Sequence, residues 1–129
     1  MSVFNVWETR GFTVPKPFER TLKVILSPET TGTKELTFLV SIIPADSTTG
    51  PHTHDANEIM YVASGRGKCI TNDKGSAIQL DSVIFAPKNV EHEIENTGEE
   101  TLKLICVFFP PLKPEGNIKK AIDAAKKKE

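Results

Sequence analysis

Apolar and polar residues alternate in short bursts along this chain, and prolines and glycines separate the bursts. That punctuation predicts many short strands rather than a few long helices. The segments with strand character are Val3–Trp7, Thr21–Leu26, Glu35–Ile43, Glu58–Ser64, Gly67–Asn72, Ala77–Leu80, Ser82–Ala86, Glu91–Asn96 and Thr101–Phe109. In Glu35–Ile43 the even positions Leu36, Phe38, Val40 and Ile42 are all apolar, the period of two expected when one face of a strand is covered. On this pattern Phe38 and Val40 join Met60, Val62, Leu104, Cys106 and Phe108 on an inner wall. In Glu91–Asn96 three glutamates alternate with His92, Ile94 and Asn96, which turns the glutamates to water and His92 inward. Thr101–Phe109 is apolar on both faces, as suits a strand between two sheets or at a subunit contact. One helix is expected, Asn117–Lys127, with Asn117 as N-cap. Its lysines 126, 127 and 128 suit the negative end of the helix dipole and read as a solvated terminus. Many short strands and one late helix make an all-β sandwich or barrel.

Length and charge narrow the possibilities. The 129 residues match the size of one domain, 1–129. Seventeen acidic against sixteen basic residues give a net charge of −1, which argues against a nucleic-acid binder. No apolar run approaches the roughly 18 residues that span a bilayer, so no membrane association is expected. The start, MSVFNVWETRGF, lacks a basic stretch followed by an apolar core, and Cys69 and Cys106 cannot form a disulfide framework. A reducing cytoplasm is the expected compartment.

The candidate chemistry lies in the chain's three histidines. His52 and His54 are one residue apart, so on extended backbone both imidazoles project to the same side. Glu58 follows with the same parity, and His92 faces inward from a distant strand. Three neutral nitrogens and one carboxylate oxygen that can converge suit a divalent transition ion such as iron, manganese, nickel, copper or zinc. The plainer alternative makes each a polar residue at a strand end. That alternative must explain why every histidine falls into one pattern with a glutamate in phase.

At these residues the sequence resembles the cupin family. His52-Thr53-His54, Glu58 and Gly65 follow the first cupin motif, G-x5-H-x-H-x3,4-E-x6-G, from its first histidine onward. Pro87, His92 and Asn96 follow the second, G-x5-P-x-G-x2-H-x3-N, at the correct spacing. Three motif glycines are replaced, by Asp46, Asp81 and Asn89, all residue types that enter left-handed backbone more readily than most. The resemblance implies a double-stranded β-helix, a jelly-roll barrel of the RmlC-like kind, with a short C-terminal helix. Its motif core would span about 36–109, with an N-terminal strand arm at 1–26 and the helix at 117–127. It further implies one metal ion on His52, His54, Glu58 and His92, with coordination positions left for water or a small molecule.

Cupins include dioxygenases, decarboxylases and other lyases, and isomerases, so the resemblance points to a metalloenzyme for a chelating carboxylate, diketone or sugar derivative. Lewis-acid or oxygen chemistry at the ion would carry the reaction. The alternatives are a binding or sensing module without turnover and a barrel kept for its shape alone. Side chains that might add acid–base chemistry have plainer roles. Tyr61 faces outward by parity, Arg66 lies in a glycine-flanked turn, and Cys106 reads as a small buried hydrophobe. A homodimer is expected, burying part of Val3–Trp7 and Thr101–Phe109.

Overall fold

The computed structural model describes residues 1–127, so Lys128, one of the three lysines at the helix end, lies outside the described residues. The described residues form nine strands: β1 Phe12–Val14, β2 Arg20–Leu26, β3 Thr37–Ile43, β4 Asn57–Ser64, β5 Arg66–Thr71, β6 Lys74–Gln79, β7 Val83–Ala86, β8 Glu93–Asn96 and β9 Leu102–Phe109. A short helix α1, Pro28–Thr31, follows β2, and α2, Gly116–Lys126, closes the described chain. One antiparallel sheet has the order β1-β2-β3-β9-β4-β7, and a second has the order β6-β5-β8. The core between them holds Val24, Ile43, Met60, Val62, Ile94, Leu102 and Leu104, all buried. The architecture is all-β with a late helix, as the alternation predicts, in the barrel form that the resemblance implies.

β9 occupies the middle of the larger sheet, between β3 and β4. Its register sets which side chains share a face. Leu39 and Met60 both lie opposite Cys106, and Thr37 and Glu58 both lie opposite Phe108. These rows point into the barrel. For β3 this corrects the expected phase: Leu39, Ser41 and Ile43 face inward, while Phe38, Val40 and Ile42 take the other face. The even set misleads because it is entirely apolar, whereas the true inner set includes the polar Thr37 and Ser41. Thr37 has a local reason to be inside, since its Oγ1 accepts a hydrogen bond from the Leu112 amide at 3.0 Å.

Two other expectations are corrected. Val3–Trp7 forms no strand. Its end enters a 3-10 turn, Val6–Glu8, in which the Glu8 amide donates to the Asn5 carbonyl and the Asn5 amide side chain reaches Glu8. The helix begins one residue earlier than expected, with Glu115 rather than Asn117 in the N-cap position and no side-chain cap. Helix α1 and strand β1 were not foreseen. In α1 the Ser27 hydroxyl accepts from the Thr30 amide at 3.1 Å, with Pro28 in the first turn.

All three motif-glycine replacements adopt left-handed backbone: Asp46 at φ 64°, Asp81 at 73° and Asn89 at 64°. The turns therefore survive the loss of glycine. Gly65, between β4 and β5, has no such latitude. At φ 83°, a Cβ there would lie 2.5 Å from the Thr101 carbonyl oxygen.

Candidate metal centre

The site begins with a backbone pairing. His52 and His92 exchange both amide–carbonyl hydrogen bonds, each 2.9 Å, as an isolated antiparallel bridge. Residues paired this way present their side chains on one face, and the two ring centroids lie 4.4 Å apart. His54 continues on that side, with its carbonyl accepting from the Asn89 amide at 2.9 Å and its ring against Phe108. The left-handed turn at Asn89 thus helps set the position of His54. Glu58 reaches the same point from the second residue of β4, and its carboxylate is buried.

The four side chains converge. One ligand atom from each of His52, His54, Glu58 and His92 lies within 4.8 Å of every other. Two ligands on opposite sides of a metal with bonds of about 2.1 Å are about 4.2 Å apart, so modest side-chain adjustment would close the group around an ion. The ring tautomers favour this. Nδ1 of His52 lies 2.9 Å from the Gly50 carbonyl and Nδ1 of His92 lies 3.0 Å from the Val90 carbonyl. Each Nδ1–H donates to its carbonyl, which leaves an Nε2 lone pair facing the cluster.

One contact is informative. His92 Nε2 lies 3.2 Å from Glu58 Oε1, and both atoms are buried without another partner. With the His92 proton held on Nδ1, two lone pairs confront each other in a dry interior. A positive centre between them, a proton or a metal ion, relieves that repulsion.

The electrostatics agree. Burial, above all, holds His52 down to about 4, with the neighbouring His92 and Arg20 adding to the effect against the Gly50 carbonyl and Glu93. Burial likewise brings His54 to about 3, helped by His52, His92 and Arg20. Both rings are therefore neutral near pH 7, the form that binds metals. His92 is also opposed by burial, but Glu58 and the Val90 carbonyl carry it above its ordinary value. Beside Glu58, burial pushes the Cys106 thiol well up, and the carboxylate adds to the shift. Cys106 is thus an inert thiol in the wall.

A cavity of about 50 Å³ opens beside the cluster, lined in part by Leu39, Met60, Leu104, Cys106 and Phe108. Arg20, Ser41 and Ile118 also line it, so α2 contributes to its closure. None of these three was foreseen. The signal for Arg20 was available, since Arg20, Leu22 and Val24 alternate in phase along β2, and Leu22 and Val24 are buried. Tyr61 faces outward, where its hydroxyl bonds Asp81, and Arg66 is exposed at the start of β5. A larger hollow of about 630 Å³ near Gly65 and Arg66 is open to solvent and gathers no comparable ligand set.

Comparisons with known proteins place these features. The family model for the cupin domain matches residues 38–108. An oxalate-binding protein of Thermotoga maritima is 33% identical over 86 residues, 66% of this chain and 71% of that protein. An uncharacterized protein of Methanocaldococcus jannaschii is 33% identical over 76 residues, which span 58% of this chain and 61% of that protein. Among solved structures, a predicted oxalate decarboxylase from Thermotoga maritima superposes with a TM-score of 0.76 at 27% identity, covering 84% of this chain and 99% of the other.

Proposed function

The chain belongs to the cupin family, and from that premise we propose that it holds one divalent transition ion on His52, His54, Glu58 and His92 and binds a small chelating carboxylate on that ion. The observation that carries this reading is the confrontation of His92 Nε2 and Glu58 Oε1 at 3.2 Å, both buried and both without another partner. The ion supplies Lewis-acid or redox chemistry when bound. The chain's own residues set the conditions. The Gly50 and Val90 carbonyls orient two imidazoles, burial keeps His52 and His54 deprotonated, and Phe108 fixes the His54 ring.

Size supports a carboxylate of few atoms over a sugar derivative. A cavity of about 50 Å³ accommodates roughly four waters by the space one water requires. The matches from Thermotoga maritima, an oxalate-binding protein by sequence and a predicted oxalate decarboxylase by structure, point the same way. A second reading, binding without turnover, is favoured by a wall in which the thiol of Cys106 is inert and Leu39, Met60, Leu104 and Phe108 supply no acid or base. Metal-loaded protein mixed with oxalate, with and without dioxygen, separates the two. Carbon dioxide release or oxygen uptake supports an enzyme, and saturable binding with neither supports a binding module. Absence of any binding to metal-loaded protein contradicts both.

We propose further that two copies pair. Ile59, Tyr61, Val83 and Phe85 lie side by side on the outer face, joined by the Ile59–Phe85 and Tyr61–Val83 pairs, and all are exposed. Of the two segments expected at the contact, Val3–Trp7 exposes Val3, Phe4 and Trp7, and Thr101–Phe109 pairs Val107 with Ile59 and Ile105 with Tyr61. Light scattering should give twice the chain mass, with an interface of about 1,200 Å² or more. A cytoplasmic location fits the two free cysteines, and no helix among the described residues is long and apolar enough to cross a membrane.

A further inference from the structure

We propose that Arg20 and Ser41 form an anion anchor that makes the cavity selective for a dicarboxylate, one carboxylate at the His–Glu cluster and the other on the guanidinium. This inference rests on the metal-site reading above. Arg20 is the first residue of β2, and its side chain lines the same cavity as His52, His54 and Glu58. Its guanidinium makes one hydrogen bond, from Nη1 to the Phe18 carbonyl at 2.9 Å. A guanidinium carries five N–H groups, so several remain for a ligand. Among the described residues no carboxylate lies within ion-pair distance of Arg20. Burial nonetheless costs it hydration, which lowers its pKa. A half-buried cation with no counter-ion beside it is a site for an anion.

Ser41 supplies the second observation. It pairs across the strands with Leu22, on the same inward face as Arg20, and the residue is only 5% exposed. Its hydroxyl lines the cavity, and it makes no hydrogen bond among the described residues. Thr49 in the same wall differs, since its hydroxyl both accepts from the Ile94 amide and donates to the Gly50 carbonyl. Thr49 belongs to the scaffold, whereas Ser41 is left to meet a ligand.

Charge specifies the ligand class. With a divalent ion in place, three neutral imidazoles, the Glu58 carboxylate and Arg20 leave the cavity with two positive charges. A dicarboxylate dianion neutralises both, while a monocarboxylate leaves the guanidinium unpaired. The forked donor geometry of Arg suits a carboxylate better than the point charge of Lys does. The small cavity limits the chain between the two carboxylates to very few atoms.

Calorimetric titration of manganese-loaded protein with oxalate, malonate and acetate tests the anchor, with metal content measured on every sample. Wild type should bind one of the dicarboxylates at least about 100-fold more tightly than acetate, a gain on the scale of a buried charge-assisted pair. Arg20→Met should remove most of that preference while retaining the ion. Arg20→Lys should recover part of it, and Ser41→Ala should cost about five- to tenfold. If Arg20→Met fails to fold, Arg20→Lys and Ser41→Ala decide instead, because chelation of the ion alone favours a dicarboxylate over acetate. Unchanged selectivity in both overturns the anchor. Protein that holds manganese but binds acetate as tightly as both dicarboxylates overturns the anchor and leaves the metal site standing. Unchanged selectivity in folded Arg20→Met also overturns it. Protein that holds no ion overturns the reading on which both rest.

Discussion

Two buried polar residues on one face of the same strand segment behave in opposite ways. At one end of β8, Asn96 is 3% exposed and fully engaged. Its amide donates to the Ile43 carbonyl at 3.0 Å and the Glu100 carbonyl at 2.8 Å, and its carbonyl accepts from the Gly98 amide at 2.9 Å. Four residues earlier, His92 is 4% exposed, and its Nε2 faces Glu58 without a hydrogen bond. Both positions belong to the second cupin motif. Asn96 ties β8 to β3 and to the turn before β9, so it serves the fold. His92 keeps an Nε2 lone pair against the Glu58 carboxylate in the interior, at a desolvation cost that a purely structural residue has no reason to bear. Satisfaction of hydrogen bonds, rather than burial, distinguishes the two roles.

The comparison can be broken most sharply at the cluster. Replacing His52 and His54 together by alanine should reduce divalent-ion affinity by well over about 100-fold, beyond the loss usual for outer partners of a metal site. Circular dichroism should still report the β fold. Glu58→Gln removes the proposed anionic ligand with little change of volume, and equilibrium dialysis should show weakened binding in a folded barrel. If metal affinity survives the double replacement, the distinction between His92 and Asn96 loses its functional meaning.

Asn96 gives the complementary result. Asn96→Ala leaves the Ile43 carbonyl in a buried bond and the Glu100 carbonyl in a part-buried one without their donor, which should cost about 1–3 kcal/mol in urea denaturation. Metal bound per folded molecule should not change. A stability loss within about 0.5 kcal/mol would show that the three hydrogen bonds are not needed to join the strands.

A smaller effect concerns pH in the metal-free protein. His52 and His54 titrate near 4 and 3 in the folded state, whereas unfolded histidines take up protons near 6.5. As pH falls from about 6.5 toward 4, the unfolded chain therefore gains protons that the folded chain refuses, and stability declines. His92, raised by Glu58, has the opposite sign, with a contribution that is present below about 6.5 and fades as pH rises through its folded value. Urea midpoints at pH 7.5 and pH 5 should therefore differ more for wild type than for the His52→Ala/His54→Ala variant. An equal drop in both would place the acid sensitivity elsewhere.

The same residues show what was legible in the amino-acid order. Period-two alternation places His92, Ile94 and Asn96 on one face, and the structure buries all three. The replacements at Asp46, Asp81 and Asn89 are legible as left-handed turns because their side chains tolerate that backbone. β3 is not legible in phase, because both of its faces are covered and the inner one is the more polar. Arg20 escapes notice because an arginine at a strand end usually points to water, although it shares the phase of the buried Leu22 and Val24. Val3–Trp7 fails as a strand because its apolar side chains are mostly exposed and its end is bound into a local turn.

The central claim is tested most directly by the metal content of wild-type protein after incubation with iron, manganese, nickel, copper or zinc in turn and dialysis at pH 7.5. The account predicts one equivalent of at least one ion per chain. It also predicts a melting temperature that falls by several degrees when a chelator removes the ion, since ligand at about 100 times its dissociation constant contributes about 2.7 kcal/mol. Protein that retains none of the five ions, and whose melting ignores chelator, would contradict it.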